Sequence, residues 1–156
     1  MDDGSNKISD RLKALIDRRT DKRGKFAQLE ASTNITAESW KSFYYGRQRP
    51  NPDMIEAIAT MWPECAFWLA TGIEDDIHGH IDPTREHDRV SPRTAATPYF
   101  HKLVELRRHK AKKGQGYDTW QEGVDRLERQ ADILGRIRAD QEESLQKYDR
   151  DEELPL

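Results

Sequence analysis

The residues best suited to chemistry lie between 36 and 50. Gly46-Arg47-Gln48-Arg49-Pro50 sets two guanidiniums on either side of one glutamine in a tight loop. Each guanidinium is a fork of N–H donors that matches the oxygens of a phosphate. Just before this loop, Ala37, Glu38, Lys41, Ser42 and Tyr45 fall on one face of a helical pattern, opposite Trp40 and Phe43. Such a set suits recognition of a polyanion, with cations on the charged backbone and a polar helix face toward what lies between. Glu38 needs its own account, since a carboxylate beside phosphate is repelled. It accepts from a cytosine amino group, acts as a discriminating repulsive element, or stabilises the positive end of its helix.

Other chemistries find little to build on. There is no Gly-rich phosphate loop, no Gly-x-Ser-x-Gly elbow and no nucleophile–base pair, so an enzyme is not expected. Asp75, Asp76, His78, His80 and Asp82 lack the helical ligand spacing of a metal site around Gly79, and a solvated loop is expected there. Neither a metal nor a cofactor is expected. His101 and His109 read as surface residues. A lone Cys65 excludes an internal disulfide and a thiolate-rich zinc site. The longest apolar run, Cys65 to Ala70, is far below the ~20 residues that span a bilayer, and no apolar segment opens the chain. A soluble, intracellular protein with no membrane partner is expected.

The elements that must hold the 36–50 face follow from periodicity, which is helical almost throughout. Ser9 can cap a helix carrying the stripe Leu12, Leu15, Ile16. Phe26, Ala27 and Leu29 begin a second, which should stop near Asn34 because Asn tolerates the left-handed conformation. Thr36 is placed to cap the third, with Trp40, Phe43 and Tyr44 on one face. Pro52 can open a fourth bearing Met54, Ile55, Ile58, Ala59 and Trp62. A fifth runs from Glu64 to Thr71 and ends at Gly72. The aromatic set Trp40, Phe43, Tyr44, Trp62, Phe67 and Trp68 reads as core; Tyr45 alone points outward.

Periodicity is lost over 73–98, a stretch with Pro83, Pro92 and Pro98 that reads as a linker. Beyond it, Tyr99, Phe100, Leu103, Val104 and Leu106 mark a helix running into the basic run Arg107–Lys113, which a turn at Gly114-Gln-Gly116 should end. The run is either a solvated helix end or an auxiliary phosphate contact. A longer pattern from about Asp118 to Tyr148 carries Trp120, Val124, Leu127, Ala131 and Leu134, spaced as in a coiled-coil seam. Neither helix can bury its stripe alone, so they pair with each other, with a second chain, or both. The acidic end, Asp149 to Glu153, should fray.

Composition agrees with a modest core: of 156 residues, 35% are hydrophobic and an equal 35% charged. The net charge of −3 conceals segregation. Residues 1–50 carry +4, 51–83 carry −7, 84–116 carry +6 and 117–156 carry −6. Charge separated this way marks interaction surfaces.

Residues 25–50 thus form a short helix, a turn at Asn34-Ile35, a second short helix and a basic loop. This resembles the XRE family, the Cro/cI-type helix-turn-helix regulators. The family pattern Leu-Ala-x-x-x-Gly-hydrophobic-Ser, four residues to a core hydrophobic, then Gly-basic-x-basic-Pro, reads here as Leu29 to Thr36, Trp40, and Gly46 to Pro50. The resemblance covers roughly residues 8–72, with Trp62-Pro63 and Phe67 to Gly72 similar to the family's closing helix. Three positions depart from it. Glu30 replaces a small alanine, so either the helix packing shifts or Glu30 points outward. Phe26 stands for a phosphate-holding glutamine, and Asn34 for the turn glycine.

The resemblance implies a five-helix lambda-repressor-like DNA-binding domain over 1–80; periodicity and composition add a linker over 81–98, a coiled-coil-like dimerisation segment over 99–150 and an acidic tail over 151–156, so the whole is expected to be an all-α protein. It implies that Ala37, Glu38, Lys41 and Ser42 face bases while Lys25, Thr36, Tyr45, Arg47, Gln48 and Arg49 hold the DNA backbone. Trp120, Val124, Leu127, Ala131 and Leu134 are the expected dimer contacts. The expected partner is double-stranded DNA with a roughly palindromic operator, the expected place the bacterial cytoplasm on the nucleoid, and the expected role a dimeric repressor of phage or mobile-element type. The alternative is a protein-interaction adaptor or antitoxin whose C-terminal helices bind a partner protein.

Overall fold

The computed structural model describes residues 7–76, 78–85, 96–112 and 116–152. Among them the structure is all-helical, without a strand. Seven α-helices follow in order: α1 Ile8–Arg19, α2 Lys25–Thr33, α3 Ala37–Tyr44, α4 Pro52–Met61, α5 Ala66–Thr71, α6 Ala96–Ala111 and α7 Tyr117–Glu152. A 3-10 turn, Pro63–Cys65, precedes α5. They fall into two compact units, the first within 1–74 and 80–87, the second within 75–79 and 88–156.

In the first unit, Leu12, Leu15, Ile16, Leu29, Trp40, Phe43, Met54, Ile58, Cys65, Trp68 and Leu69 form one buried cluster. Each helix contributes from one stripe, which is why short helices of little intrinsic stability persist here. Their ends are set by local chemistry. Asn34 closes α2 in the left-handed conformation at φ 57°, as its short polar side chain allows. The Asn51 side chain accepts from the Met54 N–H at 2.9 Å, and Pro52 follows it at the start of α4, where no N–H partner is lost. Gly72 ends α5 at φ 74°.

Ser9 does not cap α1. The helix begins at Ile8, two residues before the start that a Ser9 cap would set, and the Lys7 carbonyl accepts from the Asp10 and Arg11 N–H groups instead. The fifth helix is also shorter than its pattern: Pro63 opens a 3-10 turn, and the α-helix starts only at Ala66.

Two buried charges pin α1. Arg11, 8% exposed, donates through Nε to the Leu69 carbonyl at 2.8 Å and through Nη2 to Ala70 at 3.1 Å. A cation on the last carbonyls of α5 also meets the negative end of that helix. Arg19 pairs with buried Glu64 at 3.2 Å. Burial pushes the neighbouring Cys65 thiol up to about 11, against the opposing pull of Arg19, so it is a core group and not a reactive one.

Part of the stretch expected to be a linker is structured. Ile81 donates to the Glu64 carbonyl at 2.8 Å, and Arg85 pairs with Glu74 at 3.0 Å, so 80–85 lie against the first unit. At the other end α6 starts at Ala96. Pro98 is tolerated in its first turn because the leading N–H groups of a helix have no internal acceptor. Residues 86–95 of that expected linker lie outside the described ones.

The second unit is an antiparallel pairing of α6 with α7. Val124, Leu127 and Ala131 are buried, Trp120 and Leu134 half-buried. The stripe expected to face a second chain is therefore occupied by α6 of its own chain. His109, expected at the surface, is half-buried: its Nε2 lies 3.2 Å from the Trp120 carbonyl, and the Trp120 indole donates to the His109 carbonyl at 3.1 Å. Arg138 donates to the His78 carbonyl at 3.0 Å with its guanidinium over Tyr99 and Phe100. Residues 149–152 of the expected frayed end continue α7. Lys113, the Gly114-Gln115 turn and the last four residues lie outside the described ones.

Candidate nucleic-acid interface

The third helix is the centre of the candidate surface. Thr36 caps it, its Oγ1 accepting from the Ser39 N–H at 3.2 Å. Trp40 and Phe43 are essentially inaccessible and tie one side of α3 to the core. One hydroxyl sets the junction with α2: Thr33 donates to the Leu29 carbonyl at 2.6 Å and accepts from the Trp40 indole at 3.2 Å and the Ile35 N–H at 3.3 Å. Thr33 was not singled out in the sequence. Its only signal there is a polar residue at the end of an apolar stripe.

The opposite side of α3 is open. Glu38, Lys41 and Tyr45 are exposed, Ala37 and Ser42 half-buried; Tyr45 is 62% exposed. Thr36, Arg47, Gln48 and Arg49 are exposed as well. Glu30 is exposed, so of the two expectations for it the outward one is the case.

The loop is built by backbone bonds that turn it under α3. Gly46 takes φ 76° with its N–H on the Phe43 carbonyl at 3.0 Å, and the Ser42 carbonyl receives Arg47 N–H at 2.8 Å and Gln48 N–H at 3.2 Å. The Gln48 side chain donates to the Ser39 carbonyl at 3.2 Å. Gln48 therefore braces the loop while Arg47 and Arg49 project. They line an open cleft of about 300 Å³ together with Ser9, Lys13 and Phe43. Lys13, whose ammonium stands 5.8 Å from the Phe43 ring centre, adds a third cation to the two arginines. In sequence it was only a charge flanking the α1 stripe.

Lys25 has a different situation from the other cations. Its ammonium donates to the Asp17 carboxylate and to the Tyr44 hydroxyl, the latter at 3.2 Å, and lies 4.5 Å from the Tyr44 ring centre. Tyr44 donates in turn to Asp17, 2.8 Å from Oδ1. Burial acts to raise the Asp17 carboxyl, but the hydrogen bonds from Lys25 and Tyr44 and the ammonium charge outweigh it and hold the group below its ordinary value. The bond to Asp17 holds Lys25 above its own, against desolvation. Phe26 packs beside this group, its ring 5.5 Å from Tyr44 and 6.0 Å from Tyr45.

The remaining aromatics are mixed. Trp68 is buried and Trp62 half-buried against the core, whereas Phe67 is 37% exposed with His80 stacked at 4.9 Å. Among the described residues no three His, Cys, Asp or Glu side chains converge as metal ligands. His78 pairs with Asp75 at 2.8 Å, and Asp82 accepts from Thr84. In the basic run, Arg107, Arg108, Lys110 and Lys112 are exposed, with Lys110 paired to Glu128 at 2.7 Å. No described helix is long and apolar enough to cross a membrane.

No protein-family model, curated protein or solved structure matches the chain. The candidate surface therefore rests on its own geometry.

Proposed function

We propose that the chain is a sequence-specific regulator that binds double-stranded DNA with α3 in the major groove, as the resemblance to the Cro/cI-type helix-turn-helix proteins implies. One observation carries the reading. Trp40 and Phe43 anchor α3 on one side, while Glu38, Lys41 and Tyr45 stand exposed on the other beside a loop that projects Arg47 and Arg49. A groove about 12 Å wide admits one such helix. Lys41, Ser42, Ala37 and Glu38 are its base-facing residues. Arg47, Arg49, Thr36 and Tyr45 meet phosphates, with Lys13 joining them. Lys25 serves instead to lock α2 to α1 through Asp17, and Gln48 to hold the loop.

The regulator acts as a dimer on half-sites one helical turn apart, about 34 Å or a multiple, and represses by occluding its operator. The sharpest test is selection of bound sequences from a random duplex library with the full chain. A recovered motif with two inverted half-sites is the expected result. Recovery of no motif, at low salt as well as moderate salt, overturns the reading.

A further inference from the structure

The side of α7 turned away from α6 has an order of its own. Glu122, Arg129, Ile133, Ile137, Asp140 and Lys147 are all exposed, Ile133 at 59% and Ile137 at 43%. At 100° per residue these six positions fall within an arc of about 80°, on one stripe of the helix. The buried Val124, Leu127 and Ala131 lie on the opposite side. Two isoleucines four residues apart, open to water at the middle of a long helix, are a surface in want of a cover.

Charge identifies the cover. Exposed Arg126 and Ser144 fall within the same arc, so from Glu122 to Lys147 the order is acidic, basic, basic, Ile, Ile, acidic, Ser, basic, and the spacing is close to symmetric about residue 135. Turn the stripe end for end and lay it on itself. Ile133 then meets Ile137, Arg129 meets Asp140 and Glu122 meets Lys147, so two pairs of opposite charge face each other on either side of the axis, while Arg126 meets the uncharged Ser144. Laid parallel, Arg129 faces Arg129 and Asp140 faces Asp140, which is repulsive throughout. Lys147 already pairs with Glu143 at 3.1 Å, whereas Arg129 and Asp140 have no side-chain ion pair within the chain among the described residues. Arg129 with Asp140 is thus the discriminating pair. The stripe runs about 38 Å along the helix, from the rise of 1.5 Å per residue.

We propose that this stripe is a self-association face on which a second copy of the chain seats its own α7 antiparallel, around a twofold axis near residue 135. It replaces the Val124 seam as the dimer contact. The face requires no DNA and stands or falls separately from the DNA-binding reading.

The test is sedimentation of the full chain without DNA. The wild type is expected to dimerise at micromolar concentration, and Ile133→Glu/Ile137→Glu to sediment as a monomer with unchanged helical circular dichroism, since both positions are exposed. Arg129→Glu and Asp140→Lys should each weaken the dimer about tenfold or more, and the double variant should recover most of that loss, because the swapped pair again attracts across the twofold. A wild type that stays monomeric at about 100 μM, a Glu/Glu variant that still dimerises, or a double charge swap no tighter than its single variants each overturns the proposal. The charge-swap arm remains decisive if the isoleucine variant fails to fold.

Discussion

The Arg47 guanidinium stands 4.0 Å from the Glu38 carboxylate, with both side chains about two-thirds exposed. The pair joins the loop to the first turn of α3, so one cation of the candidate surface has an anion beside it before any ligand arrives. An exposed pair at that distance is worth ~0–1 kcal/mol to stability. Under the proposed DNA-binding function its effect belongs to binding, with Glu38 lowering the attraction of Arg47 for phosphate and repelling phosphate directly.

Glu38→Gln is therefore expected to leave the melting temperature unchanged and to raise affinity for unrelated duplexes about two- to fivefold. Discrimination between preferred and unrelated sequences should shrink. Lys41→Ala or Ser42→Ala should instead alter which sequences are preferred. Fluorescence anisotropy with matched and unrelated duplexes checks both outcomes; equal affinity of wild type and Glu38→Gln for every duplex would separate Glu38 from the interface.

Asp17 offers a pH test. Its carboxyl is held below the ordinary value in the folded protein, so its contribution is full above the unfolded value near 4 and is lost as pH falls through the lower folded value. The deficit of Asp17→Asn relative to wild type should be constant around neutrality, begin to shrink near pH 4 and vanish only below the lower folded value. With Asp17 nearly half exposed, a deficit of no more than ~1 kcal/mol is expected. Denaturant melts from pH 7 down to pH 3 measure it, and a deficit that grows in acid contradicts the assignment.

Gly79 approaches the start of α6 closely. Gly79 has φ 83°, and a Cβ there would lie 2.2 Å from the Ala96 Cβ. Gly79→Ala combines positive φ with an overlap against a rigid neighbour, so a loss of about 2 kcal/mol or more is expected. Ala96→Gly removes the obstructing carbon and should return part of that loss in the double variant. Thermal unfolding of the four proteins of the cycle reads the coupling; strict additivity would mean the two carbons do not compete.

How far the molecule was legible in its sequence depends on the range of the interaction. The αL turn at Asn34, the Thr36 cap and the start at Pro52 are decided within a few residues, and periodicity with turn chemistry found them. The Lys25–Asp17–Tyr44 group joins α2, α1 and α3, and nothing in the local pattern reserves Lys25 for an intramolecular partner. Lys13 joins the arginine loop for the same non-local reason. The Val124–Leu127–Ala131 stripe announced that something must cover it, but a period of 3.5 does not say whether the cover is α6 or another chain. Helix ends shifted where backbone alone decided them, at Lys7 and Ala96. Of the candidate surface, the exposed face of α3 and the arginine loop were readable because burial of Trp40 and Phe43 leaves that side nowhere else to face.

The central claim is that Arg47 and Arg49 hold phosphates while α3 enters the groove, and the salt dependence of duplex binding tests it most directly. The logarithm of the association constant should fall linearly with the logarithm of salt concentration for the wild type. Arg47→Ala/Arg49→Ala should bind every duplex more weakly, with a slope shallower by about 1.8, the release expected for two phosphate contacts. An unchanged affinity and slope in the double variant, or a wild type that binds no duplex at low salt, contradicts the account.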